Sequence, residues 1–207
     1  MKTVVFDFDG TLVDTFDIAV NVYNRVAPIF RIRRIARTER ETVKNFSLNE
    51  FAVKYRIASY KFLPLVIFLR FLMVREKKRK KISFFPGTVQ MIRDLRNSGF
   101  RCGILTTNSR RFVSSLLEKE KLSECFSFIE TNPFLRGKHK SLEKLKKFHG
   151  DFVYVCDEGR DVVAAKEAGV VSVAVTWGFN SAENLLRFSP DFIISSPQEF
   201  FNVLKDL

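Results

Sequence analysis

The chain has 207 residues, 46% of them hydrophobic and 23 of them phenylalanine, enough for one domain with an insertion or one domain and a small cap. Its net charge of +12 is unevenly placed: residues 25–85 hold 17 Lys and Arg against 4 acids, and the rest holds 18 against 19. Two structural units are therefore expected, one of which faces anions. Cys102, Cys125 and Cys156 lack metal-ligand spacing, which excludes a thiolate metal site and reads as reduced thiols in a cytoplasmic protein.

The run Val4-Val5-Phe6-Asp7-Phe8-Asp9-Gly10-Thr11 is the most informative stretch. It predicts a strand over Lys2–Phe8, with no signal or transit segment expected before it. Period-two alternation would put Asp7 and Asp9 on one face and Phe6 and Phe8 on the other. Gly10 then supplies the backbone freedom to leave the strand sharply. Two like charges so close raise one pKa unless a cation sits between them. A hard divalent ion with oxygen ligands, Mg2+ above all, is the natural partner. An ordinary Asp-Gly turn after a buried edge strand does not account for two aspartates in so apolar a run.

Residues 16–85 form the basic segment. Phe16–Phe30 and Thr38–Tyr55 have helical character. The apolar run after Pro64 has ten residues with Arg70 inside, about 15 Å of helix where a bilayer core needs about 30 Å. It is read as a buried helix followed by a solvated basic turn over Arg75–Lys81. The alternative is a membrane-surface anchor or phospholipid-headgroup site. Nucleic acid ranks below both, because the aromatics do not interleave with the basic run as a stacking platform would.

From residue 86 onward strands and helices alternate. Helices are predicted over Thr88–Asn97, Ser109–Glu120, Lys140–Phe148, Asp161–Ala168, Ala182–Phe188 and Gln198–Leu204. Strands are predicted over Phe100–Thr106, Cys125–Ile129, Phe152–Cys156, Val170–Val175 and Phe192–Ile194. This order implies an α/β fold, a Rossmann-like parallel sheet with helices on both faces. Its site belongs at the carboxyl ends of the strands, where Asp7, Asp9, Thr107 and Asp157 fall. Gly103-Ile104-Leu105-Thr106-Thr107-Asn108-Ser109 runs a strand into hydroxyl and amide groups at a helix start, either a plain helix cap or an anion seat. In Val153-Tyr154-Val155-Cys156-Asp157-Glu158-Gly159-Arg160-Asp161, acids enriched at a helix N-terminus account for Glu158 and Asp161, but not for Asp157 directly after an apolar strand.

Asp7-Phe8-Asp9-Gly10-Thr11 resembles the first motif of the haloacid dehalogenase superfamily as phosphatases carry it, and Asp157 to Asp161 resembles the fourth, with Cys156 where glycine is usual. The Thr107-Asn108 pair is similar to that of phosphoglycolate phosphatase-like members, and Val175-Thr176-Trp177-Gly178-Phe179-Asn180 to the closing segment, which bears on fold more than on chemistry. The resemblance implies a catalytic core over residues 1–15 and 86–207, with a C1-type helical cap at 16–85 that closes over the site. It implies a Mg2+-dependent phosphatase in the cytoplasm, peripheral to the membrane if the cap touches lipid, acting on a small phosphorylated substrate. Asp7 is then the nucleophile and Asp9 the acid and base. Gly10, Thr107, Asn108 and Lys138 join Asp7 in binding the phosphoryl group. Asp7, Asp157 and the backbone carbonyl of Asp9 ligate Mg2+, while Asp161 and Glu158 act through water or by orienting Lys138. Lys140 and Arg136 rival Lys138 as the third-motif lysine. A phosphomutase retaining the aspartyl phosphate, or an idle module binding membrane or nucleic acid, is the alternative.

Overall fold

A computed structural model describes residues 3–131 and 137–205 of the chain. They fall into two compact units, Met1–Asp14 with Ser83–Leu207, and Thr15–Ile82. In chain order, β1 (Thr3–Phe6) and β2 (Val13–Asp14) precede the second unit, which holds α1 (Phe16–Val26), α2 (Leu48–Lys54) and α3 (Ser59–Arg79). The chain re-enters the first unit at β3 (Ser83–Phe84) and α4 (Thr88–Asn97), followed by β4 (Arg101–Thr106), α5 (Arg110–Lys119) and β5 (Phe126–Thr131). Then come α6 (Lys138–His149), β6 (Val153–Cys156), α7 (Gly159–Glu167), β7 (Val171–Val175), α8 (Ala182–Leu186), β8 (Phe192–Ile194) and α9 (Phe200–Lys205).

The first unit is α/β. Its sheet runs β5-β4-β1-β6-β7-β8, and neighbouring strands pair in parallel. The path starts at β1 in the middle, moves outward through β4 and β5, then crosses to β6 and outward the other way. Parallel strands need crossover helices, and two opposite directions of travel place those helices on both faces. The apolar strands pack Val5, Leu105 and Tyr154 against Leu142 and Leu145 of α6 and Val162 and Ala165 of α7. β2 and β3 pair antiparallel, apart from this sheet.

β1 stops at Phe6, two residues short of the predicted end. Asp7 still donates its N–H to the Val155 carbonyl (2.8 Å), but its own carboxylate takes the Phe8 N–H (2.8 Å). The Phe8 carbonyl then accepts from Leu12 and Val13, which closes a turn through Gly10 at φ +77. Asp7 and Asp9 are thus placed by a turn and not by strand alternation.

In the second unit, α1 ends at Val26 and not at Phe30: Ala27 is still helical, but Pro28 has no N–H to continue the ladder, and the chain leaves through turns (Ile29 N–H to the Val26 carbonyl, 2.9 Å) with Arg31 at φ +51. The helix expected over Thr38–Tyr55 is broken into 3-10 turns at Arg37–Glu39 and Thr42–Asn45 and the short α2. Ser47 and Glu50 form a capping box, each side chain accepting the other's backbone N–H, so a helix starts there instead of passing through. The reading of 62–81 as a buried helix and a basic turn is also corrected. α3 runs unbroken through Pro64 and continues through Arg79, where Lys77, Lys78 and Arg79 suit the negative end of the helix dipole. Glu76 is buried and holds Arg25 of α1 at 2.7 Å. Leu65 is buried too, but most of the apolar residues of α3 are not. The core of this unit gathers around Tyr23 and Tyr55, whose rings lie 6.0 Å apart, with Phe51 4.5 Å from Tyr55.

Gly103 sits beneath the Phe128 ring of the neighbouring strand, where an added Cβ would overlap the ring. Gly103→Ala is expected to lower stability by about 1–3 kcal/mol in urea denaturation, with Phe128→Leu restoring part of the loss.

Candidate active site

The strand order β4-β1-β6 brackets the point where the path reverses, the position at which parallel sheets bind ligands. Asp7 follows β1, Thr107 and Asn108 follow β4, and Asp157 follows β6. Lys138, the first residue of α6 two residues before the predicted start, reaches the same end. Its Nζ lies 2.8 Å from Asp7 Oδ2 and 2.5 Å from Asp161 Oδ2, in the first turn of α7. The ring of Tyr154 on β6 lies 5.7 Å from the same nitrogen. Lys140 is exposed, and Arg136 lies outside the described residues.

Asp9 is held from the other side. Asn108 Nδ2 donates to Asp9 Oδ2 at 2.7 Å and to Thr106 Oγ1 at 2.9 Å, so the end of β4 fixes this carboxylate. Thr107, one residue beyond the strand, is exposed. Asp7 is buried and Asp9 only half-buried, giving the two aspartates different surroundings.

Asp157 is fully buried, and both its oxygens are engaged. Oδ1 accepts the Thr11 hydroxyl and Oδ2 the Phe179 N–H, each at 2.8 Å. A Cβ on Gly10 or on Gly178 would overlap the Asp157 carboxylate, so both positions must lack a side chain. Trp177 Nε1 donates to the Thr11 carbonyl at 3.0 Å, and Asn180 accepts the Gly159 N–H at 2.9 Å. The segment after β7, read from sequence as a mark of fold, therefore builds the site. Thr11 and Phe179 are the residues that sequence reasoning missed. A hydroxyl and a backbone N–H carry no sequence signal of this role.

Burial is the dominant influence on Asp7 and carries its carboxyl up to about 7, against the pull of the Lys138 ammonium. Asp157 is raised well above the usual carboxylate range by burial first, then by the charges of Glu158 and Asp7. Burial alone would lower Lys138, but Asp161 and Asp7 outweigh it and hold the ammonium well above its ordinary value. Glu158 is paired with Arg160 at 2.6 Å and not with Lys138. Among the described residues, Lys138 pairs with the buried carboxylates of Asp7 and Asp161, while the buried Asp157 has no cationic side chain bonded to it, so the buried acids outnumber the ammonium. No group of three or more His, Cys, Asp or Glu side chains is gathered as a metal cage among those residues. The set implied by the resemblance uses two carboxylates and a backbone carbonyl, and so does not require one.

A lysine-bridged aspartate beside a second aspartate, at the switch point of a parallel sheet, is an arrangement suited to nucleophilic catalysis by a carboxylate. The pattern of the haloacid dehalogenase-like hydrolases matches residues 4–175, and the chain belongs to that family. Its relatives in that family include phosphatases. A phosphoglycolate phosphatase of Synechococcus elongatus is 29% identical, covering 100% of this chain and 99% of that protein. The pyrophosphatase PpaX of Bacillus cereus is 23% identical over 100% and 98% of the two chains. A haloacid dehalogenase-like hydrolase of Streptococcus pneumoniae superposes with a TM-score of 0.76 at 21% identity, covering 99% of this chain and 98% of that one.

Thr11→Val, which deletes a buried donor to Asp157 while keeping the shape, is expected to cost about 1–3 kcal/mol in denaturant unfolding. Thr11→Ser should recover most of it.

Proposed function

We propose that this enzyme is a Mg2+-dependent phosphatase that hydrolyses a phosphomonoester through an aspartyl phosphate on Asp7. The observation that carries this reading is the Asp7 carboxylate held by Lys138 among an excess of buried acids. The donor set suits a hard divalent cation. Each Asp157 oxygen keeps a lone pair beyond its one hydrogen bond, and the charge excess calls for a cation. Asp7, Asp157 and the Asp9 carbonyl would hold Mg2+, which when bound would offset the charge on the transferring phosphoryl oxygens.

In the first step an Asp7 oxygen attacks phosphorus, the bond to the ester oxygen breaks, and Asp9 gives that oxygen its proton. In the second step Asp9 takes a proton from water, whose oxygen attacks phosphorus. The bond to Asp7 breaks and phosphate leaves. Lys138 balances charge on the nucleophile and on the phosphoryl oxygens, as a point charge whose direction Asp161 fixes. Gly10 and Thr107 bind phosphoryl oxygens. Asn108, whose amide already donates to Asp9 and Thr106, serves to orient Asp9. Glu158, paired with Arg160, contributes charge beside Asp157 and does not steer Lys138.

The substrate class rests on the relatives, of which the more similar is named for a phosphomonoester and the other for pyrophosphate. A panel containing 2-phosphoglycolate, other small phosphomonoesters and pyrophosphate is expected to show phosphate release with Mg2+ from a monoester. EDTA should abolish the release and added Mg2+ restore it. Phosphoryl exchange between substrate hydroxyls without free phosphate would identify a phosphomutase instead. Asp7→Asn is expected to lower turnover by at least about a thousandfold and to remove the phosphoryl adduct from acid-quenched enzyme. Retained turnover in that variant would refute covalent catalysis.

A further inference from the structure

Helix α3 carries an apolar stripe on its outer side. Tyr60, Leu63, Ile67, Phe71 and Val74 are between 47% and 79% exposed. Spaced three or four residues apart, they share one side of the helix, while Leu65 and Glu76 on the other are buried. At 1.5 Å per residue the stripe runs for about 20 Å. A further four residues on, Lys78 lies on the same line, and the exposed Arg79, Lys80 and Lys81 follow it.

We propose that this side of α3 docks the protein onto an anionic lipid bilayer. The helix lies in the interface plane, its apolar side chains enter the boundary between headgroups and acyl chains, and the basic end pairs with lipid phosphates. Charge decides between occupants. A second copy would bring two segments, each with 17 basic residues against 4 acids, face to face, and their repulsion opposes association. An anionic surface is attracted by the same charge. An acidic polymer would satisfy the lysines and leave the stripe in water, so the apolar residues select lipid. Geometry decides the mode. Among the described residues no single helix is long and apolar enough to cross a membrane, and α2 meets α3 at 106°, which prevents the pair from acting as one rod.

Flotation of the full chain tests this, using vesicles of phosphatidylcholine alone and of equal parts phosphatidylcholine and phosphatidylserine. Binding is expected on the anionic vesicles and at least about tenfold weaker on the neutral ones. Ile67→Asp with Phe71→Asp should weaken anionic binding at least about tenfold with an unchanged far-UV circular dichroism spectrum. Lys78→Glu with Lys81→Glu should remove the preference for phosphatidylserine. The proposal is overturned by an absence of vesicle binding, or by binding that responds to salt but not to the aspartates. It is equally overturned by a dimer that the aspartates disperse, or by an oligonucleotide bound as well as the anionic vesicles.

Discussion

The acidic end of the sheet depends on one ammonium, that of Lys138. Asp7 and Asp161 come from distant parts of the chain, and each would resist burial as an isolated charge. Lys138 stands between them and engages both. Three local features make that position available. Gly137 takes φ +59 and sets the start of α6, Asp161 lies in the favourable first turn of α7, and the β1 backbone releases Asp7 just past its last paired residue. Taking away the ammonium would leave two carboxylates in a dry setting, and breaking a buried pair typically costs about 3–5 kcal/mol.

Asp157 is supported in another way. No cationic side chain is bonded to it in the described structure. A hydroxyl from the turn after β1 and a backbone N–H from the segment after β7 share its two oxygens. Two glycines keep its flanks clear of side chains. The segment that supplies Phe179 is itself anchored, because Trp177 and Asn180 bond the turns that follow β1 and β6. The three strand ends are thus tied to one another by short bonds, and a polar group remains beside each acid. Such preorganisation is what charge stabilisation in phosphoryl transfer requires.

The sheet was legible because its strands are apolar runs bounded by glycine and polar turns, as at Phe152–Cys156 and Val170–Val175, and its helices carry clear periodicity, as in Thr88–Asn97. The acids were legible for a related reason, since Asp7 and Asp157 interrupt apolar text where a buried charge demands an explanation. Lys138 was harder, being one lysine among several, and only the fold brings it to Asp7. Thr11 and Phe179 were not legible at all. A hydroxyl and a backbone N–H carry no signature until the loops that hold them are adjacent. The basic segment misled in proportion to its mixed pattern. Its apolar residues reach round α3, so composition gave no sign of which side was covered. The Ser47–Glu50 capping box stood in plain view inside what was read as a continuous helix.

The small β2–β3 pair joins Val13 to Phe84 and Asp14 to Ser83, so the strand through which the chain leaves the first unit and the one through which it returns run side by side. Whatever polypeptide lies between them starts and finishes at one narrow gate, and the sheet does not register its length. Such a junction lets the intervening segment be lengthened, shortened or exchanged over evolutionary time while the chemistry stays fixed. Selectivity and targeting can then diverge among related enzymes faster than the reaction itself.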